Sequence, residues 1–151
     1  MHADAMSFGM ALGAAPGAPI EALAKLHGEG LAEPERVVLV AERAGEVVGM
    51  AHLVPSRAAN ARHRSEVQRV AVTAGERSTG IGRKLMAAIE QIAVERGLTL
   101  LWLTTHDETD ACAFYEAVGY TKLGVMPDYS QRPDGTLSPG AFYYKVLRRS
   151  P

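Results

Sequence analysis

What the 151-residue chain lacks narrows its biology first. It has one cysteine, Cys112, so no disulfide can form within the chain. One thiol also cannot assemble a thiolate-rich metal centre, and no metal is expected. A chain without disulfides suits a reducing cytoplasm. Neither sign of charge is in excess, since 16 Lys and Arg stand against 17 Asp and Glu. A general nucleic-acid or membrane-surface binder would need a basic surplus. No apolar run approaches the roughly 20 residues of a spanning helix. No charged N-terminal region leads into an apolar run, so no secretory signal is read. Internal repeats and interdomain linkers are missing as well.

What remains is an ordinary globular composition, 47% apolar and 22% charged. Such a chain can bury one self-supporting core. Residues 1–19 carry almost no charge and read as an arm or loop; residues 20–148 read as one domain. From Ala18 a helical period places Ile20, Leu23, His27 and Leu31 on one stripe, and Pro34 ends it. Val37–Ala41 and Val47–Ala51 are β-rich, and Ala44-Gly45 between them predicts a hairpin. A third strand follows over Glu66–Val72. Gly80–Arg96 is an amphipathic helix with Ile81, Leu85, Ile89, Ile92 and Ala93 on its apolar face, stopped at Gly97. Leu98–Leu103 is nearly continuous apolar, as in a central buried strand. Strand, long helix and strand in succession predict a parallel crossover. A short helix over Thr109–Val118 ends at Gly119. Strands follow at Tyr120–Val125 and Ala141–Leu147, with a turn-rich loop over Pro127–Gly140. The fold class is therefore α+β, or mixed α/β, with a mostly antiparallel sheet around one parallel crossover.

The stretch with most chemistry is Arg77-Ser78-Thr79-Gly80-Ile81-Gly82, which opens the long helix directly after a strand. First-turn N–H groups have no intrahelical partner and carry partial positive charge. A phosphate seated there accepts several of them at once. Gly80 and Gly82 have no Cβ, so a diphosphate can approach the backbone. Arg77, Arg83 and Lys84 add charge; Ser78 and Thr79 add hydroxyls. A Walker loop is excluded, because Gly80-Ile81-Gly82-Arg83 lacks its Gly-Lys-Ser/Thr. A dinucleotide fingerprint wants a third glycine and an acidic residue after the next strand, and neither is clear. Taken alone the loop is a generic anion site, or simply a flexible helix start.

Two motifs together are more specific. Val72 followed by Arg77-Ser78-Thr79-Gly80-Ile81-Gly82 resembles the acetyl-CoA signature of GNAT acetyltransferases. Ala111-Cys112-Ala113-Phe114-Tyr115-Glu116-Ala117-Val118-Gly119-Tyr120 resembles that superfamily's next motif, in the right order and spacing. The segments Arg64–Val72, Met126-Pro127-Asp128-Tyr129, Pro133-Asp134-Gly135 and Phe142-Tyr143-Tyr144-Lys145 are similar to the branch that includes the tabtoxin resistance protein. In that family a strand and a helix precede the region resembled by residues 3–13. The resemblance therefore implies a domain that either lacks its first strand and helix or has Met1–Gly13 in their place; a bare edge would be open to pairing as a homodimer.

The resemblance implies direct acetyl transfer from acetyl-CoA to a primary amine. It places the pyrophosphate on Arg77, Ser78, Thr79, Gly80, Ile81, Gly82 and Arg83. It places the pantetheine along the backbone of Val70, Ala71 and Val72, with the Val70 N–H as oxyanion donor, and this needs the strand to splay from Leu98–Leu103. Glu66 is the candidate base, acting through a water, on a face that a period of two shares with Gln68, Val70 and Val72 unless a bulge intervenes. A structural partnership of Glu66 with Arg64 or Arg69 is the alternative. Tyr115 is the candidate acid toward the thiolate, or else a packed helix tyrosine. Glu108 stands where many relatives carry a pantetheine-binding Asn, and Thr104 where the branch carries an acid. His106, Asp107 and Asp110 nearby either compensate or form a solvated helix start. Cys112 reads as a small buried residue, His27 as core, and Trp102 as strand packing. His52 and His63 line the sheet face, and Tyr129 borders an acceptor pocket. A small-molecule acceptor is expected, ahead of a protein or peptide acceptor, or of a CoA-binding domain without catalysis.

Overall fold

The computed structural model describes residues 32–148 of the chain. The helix expected from Ala18, with Ile20, Leu23, His27 and Leu31 on its stripe, lies outside the described residues. Eight elements follow: β1 Val37–Arg43, β2 Glu46–Pro55, β3 Arg64–Val72, α1 Ile81–Glu95, β4 Leu100–His106, α2 Asp110–Ala117, β5 Thr121–Gln131 and β6 Leu137–Val146. They build one six-stranded sheet in the order β1-β2-β3-β4-β6-β5. Only β3 and β4 pair in parallel; the other pairs are antiparallel. The α+β class and the single parallel crossover are as the sequence predicts.

The expected β1–β2 hairpin turns at Ala44 (φ 51°) and Gly45 (φ 82°), both left-handed. Primed turns of this kind match the strand twist. Helix α1 buries Ile81, Leu85, Met86, Ile89 and Ala93 against Ala51, Leu53, Val67, Leu101 and Leu103. Its apolar stripe has the period read from the sequence, and Gly97 (φ 77°) ends it. Gly49 on β2 lets the helix close in, because a Cβ there would stand 2.9 Å from Ile81 and 3.0 Å from Leu85. Lys145 on β6 ties the far end of the layer together. Its ammonium donates to both oxygens of Glu90 on α1 (2.9 and 2.8 Å) and to the Val118 carbonyl (2.8 Å).

The expected loop over Pro127–Gly140 is a correction. Most of it is strand, with β5 running to Gln131 and β6 starting at Leu137. The turn residues read as a loop instead form an irregularity between Met126 and Ser130, where Asp128 adopts φ 53°. A bulge tolerates Pro127 and Asp128 inside a ladder that regular pairing would not. It swings the Tyr129 ring over Gly140, where a Cβ would lie 2.4 Å from the ring. Period and turn signals point to a loop here because a bulge uses turn chemistry.

Candidate functional site

Two irregularities of β3 create the site. The first is a fork. Strand β3 pairs with β4 only at Arg64–Leu100, Ser65–Leu101 and Glu66–Trp102. Both strands continue, β3 to Val72 and β4 to His106, without further rungs between them. The splay that the resemblance requires is therefore present. It leaves the backbone groups on that side of Val70, Ala71 and Val72 without a β4 partner, and such groups are obligatory hydrogen-bonders.

The second is a bulge. Met50 pairs with Ala71 and His52 with Gln68, so two residues of β3, Arg69 and Val70, oppose one of β2, Ala51. Arg69 sits at this point with φ 52°. The bulge corrects the common face expected for Glu66, Gln68, Val70 and Val72. Before it, Val67 faces the α1 core; after it, Val70 and Val72 do. Glu66 and Gln68 lie on the opposite face, with the half-buried Trp102 on the neighbouring strand. The parity switch puts a carboxylate on one side of the fork and leaves the backbone of Val70–Val72 without a β4 partner in the gap, where the Val72 carbonyl accepts from Arg77 Nε at 3.5 Å.

Glu66 is half-buried, and the Gln68 amide donates to its Oε2 at 2.8 Å. Burial pushes its pKa up, while the Gln68 hydrogen bond and the Arg36 charge pull it down. The net rise moves a carboxylate toward the range of a general base. Its partner is thus Gln68, with Arg36 nearby, rather than Arg64 or Arg69.

At the mouth of the fork stands the start of α1. Gly80 is its N-cap in the left-handed region (φ 88°), and no side chain caps the helix. Nothing lies within 4 Å of where a Gly80 Cβ would be, so an anion can reach the backbone there. Ser78 is left-handed as well (φ 62°), and Thr79 donates to the Glu76 carbonyl at 2.6 Å. Arg77, Ser78 and Thr79 are exposed around this end. Two residues of the loop are committed elsewhere. Arg83 donates to the Ala117 carbonyl at the end of α2 (3.3 Å). Gly82 leaves room for Phe114, whose ring would stand 3.3 Å from a Cβ there, with Val72 at 3.8 Å. Gly82 therefore serves helix–helix closeness, and Gly80 is the position with open space beside it. Gly80→Ala is expected to cost about 1 kcal/mol of stability through its left-handed backbone alone, which urea unfolding would measure.

Tyr115 is buried on α2. Its ring meets Phe114 (5.3 Å), Tyr120 (6.1 Å) and Tyr143 (6.0 Å), and Tyr143 is paired with Leu103 beyond the last parallel rung. The Tyr143 hydroxyl donates to Glu116 (3.1 Å). Burial first, and then the neighbouring Cys112, push the Tyr115 phenol well above its ordinary value. The group keeps its proton throughout the neutral range.

The remaining candidates fall into place around these. Thr104 and the Tyr129 hydroxyl are 3.3 Å apart, and Tyr129 stacks edge-on with Phe142 (5.1 Å), so Tyr129 does border the Trp102 face. Asp107 is taken by Lys122 (2.7 Å), which holds its pKa down. His106 meets Ser138 at 2.9 Å, and burial lowers its pKa. Glu108 is exposed with φ 56°, and Asp110 opens α2. Cys112 is half-buried with its thiol toward the His106 carbonyl (3.5 Å), as expected of a packing residue. His52 is buried and His63 exposed. Sequence reasoning missed Arg36, which reaches His52 across the sheet, and the conformation of Arg69. No motif marks Arg36, and nothing in the Arg64–Val72 segment signals a left-handed backbone at Arg69. Among the described residues, no group of His, Cys, Asp and Glu is arranged to hold a metal. No helix among them is long and apolar enough to cross a membrane.

A forked parallel pair with a glycine-opened helix end at its mouth defines an acyltransferase-type α+β domain. The sequence model of the acetyltransferase (GNAT) family matches residues 12–120, and the chain belongs to this family. It is 42% identical over 74 residues to mouse N-alpha-acetyltransferase 80, a stretch covering 49% of this chain and 22% of that one. The chain spans 38% or less of the length of the curated relatives it matches first. The crystal structure of a Brucella melitensis ribosomal-protein-alanine N-acetyltransferase superposes with a TM-score of 0.78 at 29% identity, over 95% of this chain and 88% of that one. An aminoglycoside 6'-N-acetyltransferase complexed with coenzyme A shares the fold, with a TM-score of 0.66 at 23% identity, over 83% and 80% of the two chains.

Proposed function

We propose that this protein transfers an acetyl group from acetyl-CoA to a primary amine of a small molecule. The observation that carries the reading is the fork: the backbone of Val70–Val72 has no β4 partner, and the uncapped helix end at Gly80 stands beside it. The coenzyme A in the complexed aminoglycoside acetyltransferase supports the same co-substrate here.

The pyrophosphate lies on the first-turn N–H groups of Gly80, Ile81 and Gly82, with Arg77, Ser78 and Thr79 around it. Arg83 contributes charge from its place against α2. The pantetheine adds to β3 as a strand would, pairing with the backbone of Val70, Ala71 and Val72 where it has no β4 partner. Glu66 takes a proton from the ammonium through a water, since an alkyl ammonium has a pKa near 10. The amine nitrogen then attacks the thioester carbonyl, and the N–C bond forms. The Val70 N–H stabilises the oxyanion. Collapse breaks the C–S bond; the thiolate receives a proton from Tyr115, and the second proton leaving the nitrogen passes by way of water to the Tyr115 phenolate, restoring it.

The likeness of Met126–Tyr129 and Pro133–Gly135 to the tabtoxin resistance branch favours a small acceptor. Tyr129 and Phe142 offer aromatic walls beside the Trp102 face for such an acceptor. Strand β1 is a sheet edge among the described residues, which supports pairing of two copies. The balanced charge and lone cysteine support a cytoplasmic enzyme without nucleic-acid or membrane partners.

Acetyl-CoA is expected to raise Tm by mass action, by the equivalent of about 2.7 kcal/mol at a hundredfold excess over Kd. Thermal unfolding with millimolar acetyl-CoA checks this, and an unchanged Tm would remove the reading. A thiol-release screen over amines then tests turnover. Binding without release of free thiol would leave a CoA-binding domain.

A further inference from the structure

We infer that Arg69, backed by Arg36, forms a carboxylate-binding subsite, so that the acceptor is an amino acid rather than a polycationic amine. The inference rests on the acetyltransferase reading above and names its substrate class.

Arg69 stands at the bulge, directly before Val70, and carries two unfavourable features at once. Its backbone is left-handed without being glycine (φ 52°). Such strain persists only where surrounding structure holds it, and it collects at binding sites. Its Nη1 is buried with no hydrogen-bond partner. A guanidinium is planar, permanently charged and presents its donors as a fork that matches a carboxylate. An unpaired buried donor on a cation is costly until an anion completes it.

Among the described residues, no protein anion fills that role. Glu33 is the acid whose charge reaches Arg69. It is already engaged by Arg36, through Nε (3.1 Å) and Nη2 (2.7 Å), and by Arg57 (3.3 Å). Arg36 is itself nearly buried, and its Nη1 faces the His52 ring at 3.3 Å. Arg36 and Arg69 therefore place positive charge on the face that carries Glu66. Burial and the Arg36 charge both press against the charged form of Arg69, and an acceptor carboxylate relieves both.

The spacing suits a bifunctional acceptor. Glu66 and Arg69 are three residues apart on one strand, roughly 10 Å. Side chains closing from both ends leave room for an amine at the fork and a carboxylate at the bulge. A polycationic amine would meet Arg36, Arg57 and Arg69 with like charge.

The test uses CoA-saturated protein and N-acetyl-L-amino acids, each paired with its carboxamide. Pairing keeps size and side chain constant while removing the anion. At least one acid is expected to bind tenfold or more tightly than its amide. Arg69→Gln and Arg69→Gly should erase that preference while the Tm rise with CoA alone persists. The glycine variant also relieves the left-handed strain, so folding is retained. The inference is overturned if no acid outbinds its amide, or if the preference survives in both variants. Thiol release from acetyl-CoA with the free amino acids is read separately. Acid-selective binding that depends on Arg69 but without turnover would overturn the acetyltransferase reading and leave the subsite standing.

Discussion

Tyr115→Phe is expected to lower kcat by about a hundredfold, the scale of a lost general acid, while acetyl-CoA still raises Tm as in the parent protein. The substitution is unusually clean. The ring contacts with Phe114, Tyr120 and Tyr143 are aromatic and survive in phenylalanine. The hydroxyl has no hydrogen bond to the described residues, so its removal leaves no partner stranded. Burial holds the phenol protonated far above neutral pH, so a proton is available at every working pH. The pH profile of the parent should therefore show no limb from Tyr115 below about pH 10. Initial-rate kinetics of thiol release, with Tm in parallel, separate the two possibilities. Unchanged kcat would make Tyr115 a packing residue.

Glu66→Gln should have an effect of similar size on kcat/KM near neutral pH, again about a hundredfold, with an opposite effect on stability. In the parent, rate should rise with pH as Glu66 loses its proton, at a pH above that of an ordinary carboxylate, because burial raises its pKa. In the variant that limb disappears. The stability sign follows from the same shift. Glu66 has a higher pKa folded than unfolded, so its contribution is present below the unfolded value and is lost as pH rises through the folded one. Glutamine removes the ionisation. The Tm of the variant should exceed that of the parent at about pH 7 and converge with it near pH 4. The Gln68 amide can still donate to the new side chain, so that contact does not obscure the comparison. Rate profiles and Tm measured across the same buffers decide it. A variant less stable than the parent at neutral pH would show that the carboxylate is structural.

Much of the fold was legible from local rules. The α1 stripe from Ile81 to Ala93 has helical period, Ala44-Gly45 has hairpin chemistry, and Leu101 and Leu103 sit in a continuous apolar run. The glycine loop reads as a candidate anion site, and the Phe114-Tyr115 motif points that candidate toward CoA. The loop over Pro127–Gly140 misled because bulged strands use the residues that turns use. The shared face of Glu66 and Val70 misled because one inserted residue inverts every side chain beyond it.

The sequence by itself determined the elements, the family and the residues of the helix mouth, because period, caps and motifs act over a few neighbours. Only the tertiary structure decided where β3 and β4 part, which face Val70 and Val72 take after the bulge, and that Gly82 accommodates Phe114 while Gly80 faces open space. It also decided that Arg69 is left with an unpaired buried nitrogen, because Glu33 is already held by Arg36 and Arg57. These are properties of pairing between segments far apart in the chain. No run of neighbouring residues carries them, since a hydrogen bond that is not made is visible only when every possible partner has been placed.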